Sequence, residues 1–403
     1  MGNKSGFEAL KPLPIPLSKC PCVLYKKEIL ICGGFVKGEC YSYHTEKNEY
    51  KKICSYPNQI IVWSHQVLRL VNKDSPDEMT LLSFGGAFKH SMIMKYVSVW
   101  DDEDDKKKED ENAAEAEKVK SRVNCNEWVQ LTDQENNPVY VGTDEPCEGM
   151  RSVIGGNKNH LLFFTYTPKN FLVINLNTFQ CVKREDLPVE ILINFPCLVS
   201  KNANDTSNIK NKNITELLLF CENVGLSIDY DEDNNTLHFG NVPVCTTIAY
   251  YSSYSYVHAH DTIFFFGGQH WKKRWRTNAV HKYSIKDQQW TKLKFSFPGP
   301  CGHSFAILND DHTFVHILGG VNRKHEAMSV HFRIKFKDLM MLDDDAFAQN
   351  VQEQKPLVQE EEKEEKEEKE SVEENTNVTF FLKILNNLKK KKKKIKKIIN
   401  KGK

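Results

Sequence analysis

Short apolar runs, each bounded by polar or small residues, recur along the chain. They are Ile29-Leu30-Ile31-Cys32, Leu81-Leu82-Ser83-Phe84, Leu161-Leu162-Phe163-Phe164, Leu217-Leu218-Leu219-Phe220, Ile263-Phe264-Phe265-Phe266 and Val315-His316-Ile317-Leu318. Runs of four rich in branched and aromatic residues predict buried β-strands, because a helix of that hydrophobicity needs more length. Their first residues are offset by 52, 80, 56, 46 and 52 positions, a period that predicts repeated sheets arranged as propeller blades. The one long interval requires an insertion. Residues 101–125 supply it, because Asp101 to Lys120 is almost wholly charged or small and cannot bury a core.

Four of the runs end in a glycine pair: Gly33-Gly34, Gly85-Gly86, Gly267-Gly268 and Gly319-Gly320. A strand crowded between neighbours has to turn where side chains clash, and glycine tolerates positive φ and close backbone approach. Gly155-Gly156 precedes its run and reads as an ordinary turn between strands. After the runs, Tyr43 and Tyr50 bracket a polar turn at a spacing of seven, as do Tyr283 and Trp290. In the second unit Tyr96 to Trp100 holds the first part and Trp128 resumes after the insertion. Leu226 to Tyr230, a polar turn at 231–235 and Thr236 to Phe239 read as a hairpin.

An apolar second strand ending in Gly-Gly, then a Tyr, then a Trp about seven residues on resembles the kelch family of β-propellers. The resemblance spans residues 7–338; it is fullest in units one, five and six, partial in two, and carried by spacing alone in three and four. It implies an all-β fold: a six-bladed propeller of four-stranded blades, with a leader at 1–6 and a low-complexity, disordered or loosely helical tail at 339–403. Phe7 to Pro14 is similar to Trp290 to Phe295, so the N-terminal strand is expected to complete the last blade and remove two free sheet edges.

Composition narrows the function. The 55 basic and 54 acidic residues leave a net charge of +1, so no global field favours nucleic acid or an anionic membrane. Twelve cysteines are scattered without a dense framework or repeated C-x2-C spacing, which points to a reduced, cytoplasmic chain without a metal site or cofactor. No apolar stretch is long enough to span a membrane. Met1 to Gly6 departs from the myristoylation pattern by placing Gly6 where Ser or Thr belongs. In the tail, Phe381, Ile384, Leu385 and Leu388 have amphipathic helical spacing just before a lysine run.

The resemblance also brings in copper-radical oxidases, which use His and Tyr around one copper. His65, His258 and His303 fall in corresponding first-strand regions, but a His that recurs with the repeat favours a blade role with a hydroxyl or carbonyl partner. No nucleophile elbow, phosphate loop or H-E-x-x-H occurs, so no catalytic residue is expected. Kelch-like chains often carry a recruiting module such as BTB or F-box, and nothing here resembles one, which argues against a ubiquitin-ligase adaptor.

Binding is the stronger reading, because propeller loops cluster on two faces. On the face of the loops after the second strands, unit five carries Trp271, Lys272, Lys273, Arg274, Trp275 and Arg276, and unit six adds Arg323, Lys324 and His325. Lys89 and His90 stand at the matching place in unit two. The opposite face takes acidic turns: 101–111 holds eight acids against three lysines, and Asp229 to Asp233, Asp310-Asp311 and Asp77-Glu78 join them. A monomeric scaffold binding an acidic or phosphorylated protein is expected, centred on Lys272 to Arg276, since Arg forks onto carboxylate or phosphate and Trp supplies apolar area. A polyanion, nucleic acid or lipid head groups, is the alternative through the same face and the lysine-rich tail. Charged loops that merely stay solvated are the remaining reading.

Overall fold

Each apolar run becomes the second strand of a four-stranded antiparallel sheet, and six such sheets make the chain an all-β, six-bladed propeller. The computed structural model describes residues 6–34, 38–70, 78–101, 125–142, 146–201 and 213–341. Gly2, Asp77, most of the 101–125 insertion and the tail with its Phe381 to Leu388 stripe lie outside the described residues. So nothing structural bears on acylation, the acidic run or the amphipathic segment.

The second strands read as continuous rather than alternating apolar runs because both of their faces are covered by neighbouring blades. Ile29, Leu30, Ile31 and Cys32 are wholly buried, as are Ile263 to Phe266. The core is correspondingly divided into hydrophobic clusters at the seams. Leu30, Leu81 and Trp128 share one, Phe84 and Phe164 the next, Phe163 and Leu219 the third, and Phe220 with Phe265 the fourth. Phe266 with Ile317, and Leu318 with Ile29, fill the last two.

Gly319 shows what the glycine pair does. Its φ is +59°, and a Cβ there would stand 2.3 Å from the Leu17 carbonyl oxygen. The second strand thus ends hard against the chain leading into the first blade. Blades three and four have no glycine pair because they have no such loop. Tyr166 pairs with Asn170 across Thr167-Pro168-Lys169, whose Thr167–Pro168 bond is cis, and Cys221 pairs with Val224 across Glu222-Asn223. Gly155-Gly156 sits between the strands Arg151–Gly155 and Leu161–Tyr166, the turn the sequence implies.

The spaced aromatics are cross-strand partners. Tyr43 faces Tyr50 with ring centroids 4.8 Å apart, and Tyr283 faces Trp290 at 5.0 Å. Trp128 stacks on Tyr56 at 4.8 Å and donates its Nε1–H to Cys40 Sγ, tying the second blade to the first. Ring closure follows the expected route: Phe7 to Ala9 pairs with Phe332 to Ile334, and Arg333 donates to both Glu8 carboxylate oxygens at 2.8 and 3.0 Å.

Candidate functional site

In every blade the loops after second strands and the links between blades emerge on one face, because four antiparallel strands return the chain to the end where it began. On that face the blade-five loop folds as a tight hairpin. His270 N donates to Trp275 O, Arg274 N donates to His270 O, and His270 Nδ1 accepts from the backbone N–H groups of Lys272 and Lys273. Arg274 closes the turn at φ +58°. Blade six repeats the device: Asn322 Oδ1 accepts from Lys324 N and Glu326 N, and His325 takes φ +63°. Side-chain capping of this kind fixes a loop without a core.

The sequence-selected residues divide. Trp271, Lys272, Lys273 and Arg274 stand exposed at the hairpin tip, and Arg323 and Lys324 at the tip of the blade-six hairpin. Trp271 is 54% exposed. Trp275 is half-buried, with Lys273 Nζ 4.4 Å from its ring. Arg276 turns inward: it is 6% exposed, its Nη atoms donate to His325 Nδ1 at 3.2 and 3.3 Å, and Nη2 also donates to Gln269 Oε1. It is a buried link between blades five and six rather than part of the outer cluster. His90 is likewise no surface cation. It is 2% exposed and bonds Ser83 Oγ and the Phe88 carbonyl, whereas Lys89 lies over the Tyr140 ring at 4.3 Å.

Tyr250, which sequence reasoning missed, belongs with the tip. It is 56% exposed, stacks on His270 at 5.7 Å and 8°, and its carbonyl accepts from Trp271 N. The blade-five link pairs here with its own loop, Tyr251 opposite His270.

Around the axis, one residue per blade, just before the inner strand, is left-handed: Lys19, Ser64, Gly149, Phe195, Ser253 and His303, with φ between 49° and 67°. Backbone bonds run from Lys19 N to His303 O, His303 N to Ser253 O, Ser253 N to Phe195 O and Phe195 N to Gly149 O, joining five blades. At the mouth of this ring the Phe195 ring has Lys19 Nζ at 4.7 Å, Arg151 Cζ at 5.3 Å and the His303 ring at 4.7 Å. Lys19 Nζ also lies 4.0 Å from Glu148 and 5.2 Å from the Trp63 ring. Burial pulls the Lys19 ammonium down to about 8, with Arg151 and Arg276 adding to the fall and Glu148 opposing it. Arg276 is pulled to about 10, mainly by desolvation. Burial pushes Glu222, in the blade-four turn, up to about 7.

The opposite face is mixed rather than acidic among the described residues. Lys26, Lys27, Lys47, Lys158 and Lys286 occupy its turns. Two of its acids cap their own turns: Asp231 accepts from Asn234 and Asp311 from Thr313, and these bonds hold both carboxyls below the usual range.

His65, His258 and His303 occupy three separate environments. His65, wholly buried, bonds the Cys32 carbonyl at 2.9 Å and neighbours Tyr56 and His90. His303 lies at the axis. His258 is out of register, since Ser255 opposite Phe266 corresponds to Gln66 opposite Phe84, which places Tyr254 where His65 stands. Among the described residues no group of three or more His, Cys, Asp or Glu side chains is arranged to hold a metal ion. The cysteines form no disulfide, and no described helix is long and apolar enough to cross a membrane.

No family model matches the chain, and no curated protein matches it. Among solved structures the chain is similar to the one described as "Structure of YjhT", with a TM-score of 0.51 and 12% identity, over 80% of this chain and 96% of that chain. At that identity the likeness concerns the fold.

Proposed function

We propose that this chain is a kelch-type propeller acting as a non-catalytic scaffold, and that it receives an acidic or phosphorylated protein on the face of the blade-five and blade-six hairpins. The observation that carries the reading is the tip at 271–274. An exposed Trp271 stands beside exposed Tyr250 on a hairpin rigidified by His270, with Lys272, Lys273 and Arg274 around it. Large aromatics held rigidly lose little entropy on binding and commonly dominate interface energy, while the surrounding cations steer an anionic partner. The buried, carbonyl-bonded state of His65 and the dispersal of the three histidines support a role in blade architecture over catalysis. Twelve cysteines with no disulfide among them suit a reducing compartment such as the cytoplasm.

The test is affinity capture from lysate with the full chain, comparing wild type with Lys272→Glu/Lys273→Glu/Arg274→Glu and with Trp271→Ala. Arg276 is left intact because it is structural. Loss of specific protein partners in both folded variants is the expected result. An unchanged partner set sinks the reading. Nucleic acid captured in place of protein, with a steep salt dependence, would transfer the site to a polyanion.

A further inference from the structure

We propose that the mouth of the propeller axis, lined by Lys19, Arg151 and Arg276 around Phe195 and His303, is a binding site for a single carboxylate. The inference rests on the acidic-partner reading and adds where that partner's charge is received: a Glu or Asp side chain, or a chain-terminal carboxylate, of a peptide lying across the 271–274 tip.

Three cations from three different blades meet at this mouth. Lys19 leads into blade one, Arg151 begins the inner strand of blade three, and Arg276 reaches in from the blade-five loop. Lys19 and Arg151 both lie against the Phe195 ring, at 4.7 and 5.3 Å. Phe195 is 3% exposed, so it closes the axis beneath them. The charges of Lys19, Arg276 and Arg151 all act on His303, which burial already keeps neutral. Against these three cations stands Glu148, 4.0 Å from Lys19 with its side chain 43% exposed. Glu222, another acid on this face, is itself pushed toward its neutral form by burial. Unneutralised positive charge in a half-desolvated place costs folding free energy that an incoming anion recovers.

Unpartnered polar atoms mark the spot as well. Arg276 Nε and His303 Nδ1 are buried with no hydrogen-bond partner, although both Nη atoms of Arg276 are occupied. Gly302, next to His303, places the backbone close to that donor, since a Cβ there would stand in ordinary contact with Arg276 Nε at 3.6 Å. Buried donors left unmade are expensive, and a carboxylate is the simplest acceptor that meets both the charge and the open N–H. The aromatic floor and the retained Glu148 favour one carboxylate over a phosphate dianion.

The test uses the full chain with its lysines reductively 13C-methylated, so that a lysine titrating near 8 is resolved by NMR from surface lysines near 10.5, with succinate and a hexaglutamate peptide as probes. The low-titrating signal is expected to disappear in Lys19→Arg and, in the wild type, to move up by about one pH unit with either probe. Arg151→Met is expected to abolish the succinate shift. The triple Glu variant of 272–274 is expected to weaken the peptide about tenfold while leaving the succinate shift intact. If succinate never moves Lys19, or still moves it in Arg151→Met, the axial site is refuted. Should the peptide nevertheless bind and be lost in the triple variant, the proposed function survives that refutation. Succinate moving Lys19 without any peptide binding leaves the anion site standing and counts against the acidic-partner reading.

Discussion

The ammonium of Lys19, leading into the first blade, lies 4.7 Å from the ring centroid of Phe195, leading into the fourth. In a ring of six, blades one and four are diametrically opposed, so this contact spans the axis and closes it at the loop face. A cation over a partly desolvated ring contributes on the order of 1–2 kcal/mol, and here it also positions the charge at the centre of the molecule.

Phe195 serves this role from a left-handed backbone, at φ +49°. Removing its ring should cost about 3–5 kcal/mol. Glycine accepts that backbone where alanine resists it, by about 1 kcal/mol. Phe195→Gly is therefore expected to be less destabilised than Phe195→Ala in urea unfolding, the reverse of the usual order. Equal stabilities, or alanine the better, would show that the backbone at this position is not constrained as described.

Gly319 and Gly34 provide a matched pair. At Gly319 positive φ and the Leu17 carbonyl together resist any Cβ, whereas at Gly34 φ is ordinary and the nearest obstacle is the flexible end of Leu17, Cδ2 at 2.9 Å. Gly319→Ala is expected to lose about 2 kcal/mol or more and Gly34→Ala about 1 kcal/mol or less, as read from denaturation midpoints. Comparable losses would mean that the carbonyl contact is not what excludes a side chain.

The seam that closes the ring should be acid-sensitive. Tyr50 Oη lies 2.6 Å from His331 Nδ1, and His331 Nε2 lies 2.9 Å from His316 Nδ1, both histidines buried between the last blade and the first. Burial pulls His316 down to about 4 and His331 well below its ordinary value. The unfolded chain takes up these protons near 6.5 and the folded chain only at lower pH. Stability is therefore fully present above about pH 6.5 and is lost as pH falls toward 4, by ~1.4 kcal/mol per pH unit for each histidine. His65, pulled to about 3, and His281, to about 4, add to the slope. The double variant His316→Gln/His331→Gln should flatten it by about two protons. A slope unchanged by that variant would show that the two rings already carry protons in the fold.

Much of this architecture was legible because it rests on local rules. A spacing of seven from Tyr43 to Tyr50 is what a tight hairpin needs to bring two aromatics into register. The glycine pairs mark the places where a strand end meets a neighbouring carbonyl. The axial ring was not legible. Its left-handed position is held by Lys, Ser, Gly, Phe, Ser and His in turn, so no single residue type marks it, and Lys19, Arg151 and Phe195 meet only once the ring has closed. Arg276 and His90 read as surface cations because sequence does not show which way a loop residue turns. The acids of the opposite face read as an electrostatic feature, whereas Asp231 and Asp311 cap their own turns.

Site-specific photo-crosslinking tests the binding face most directly. A photoreactive residue replaces Trp271 at the hairpin tip or, as the control, Lys286 in a turn of the opposite face, in the otherwise intact chain exposed to lysate. Adducts to acidic or phosphorylated protein segments are expected from position 271, suppressed by the Lys272→Glu/Lys273→Glu/Arg274→Glu changes, and none from position 286. Adducts from 286 alone, or from neither position, would contradict the account and leave the hairpin tip as solvated surface.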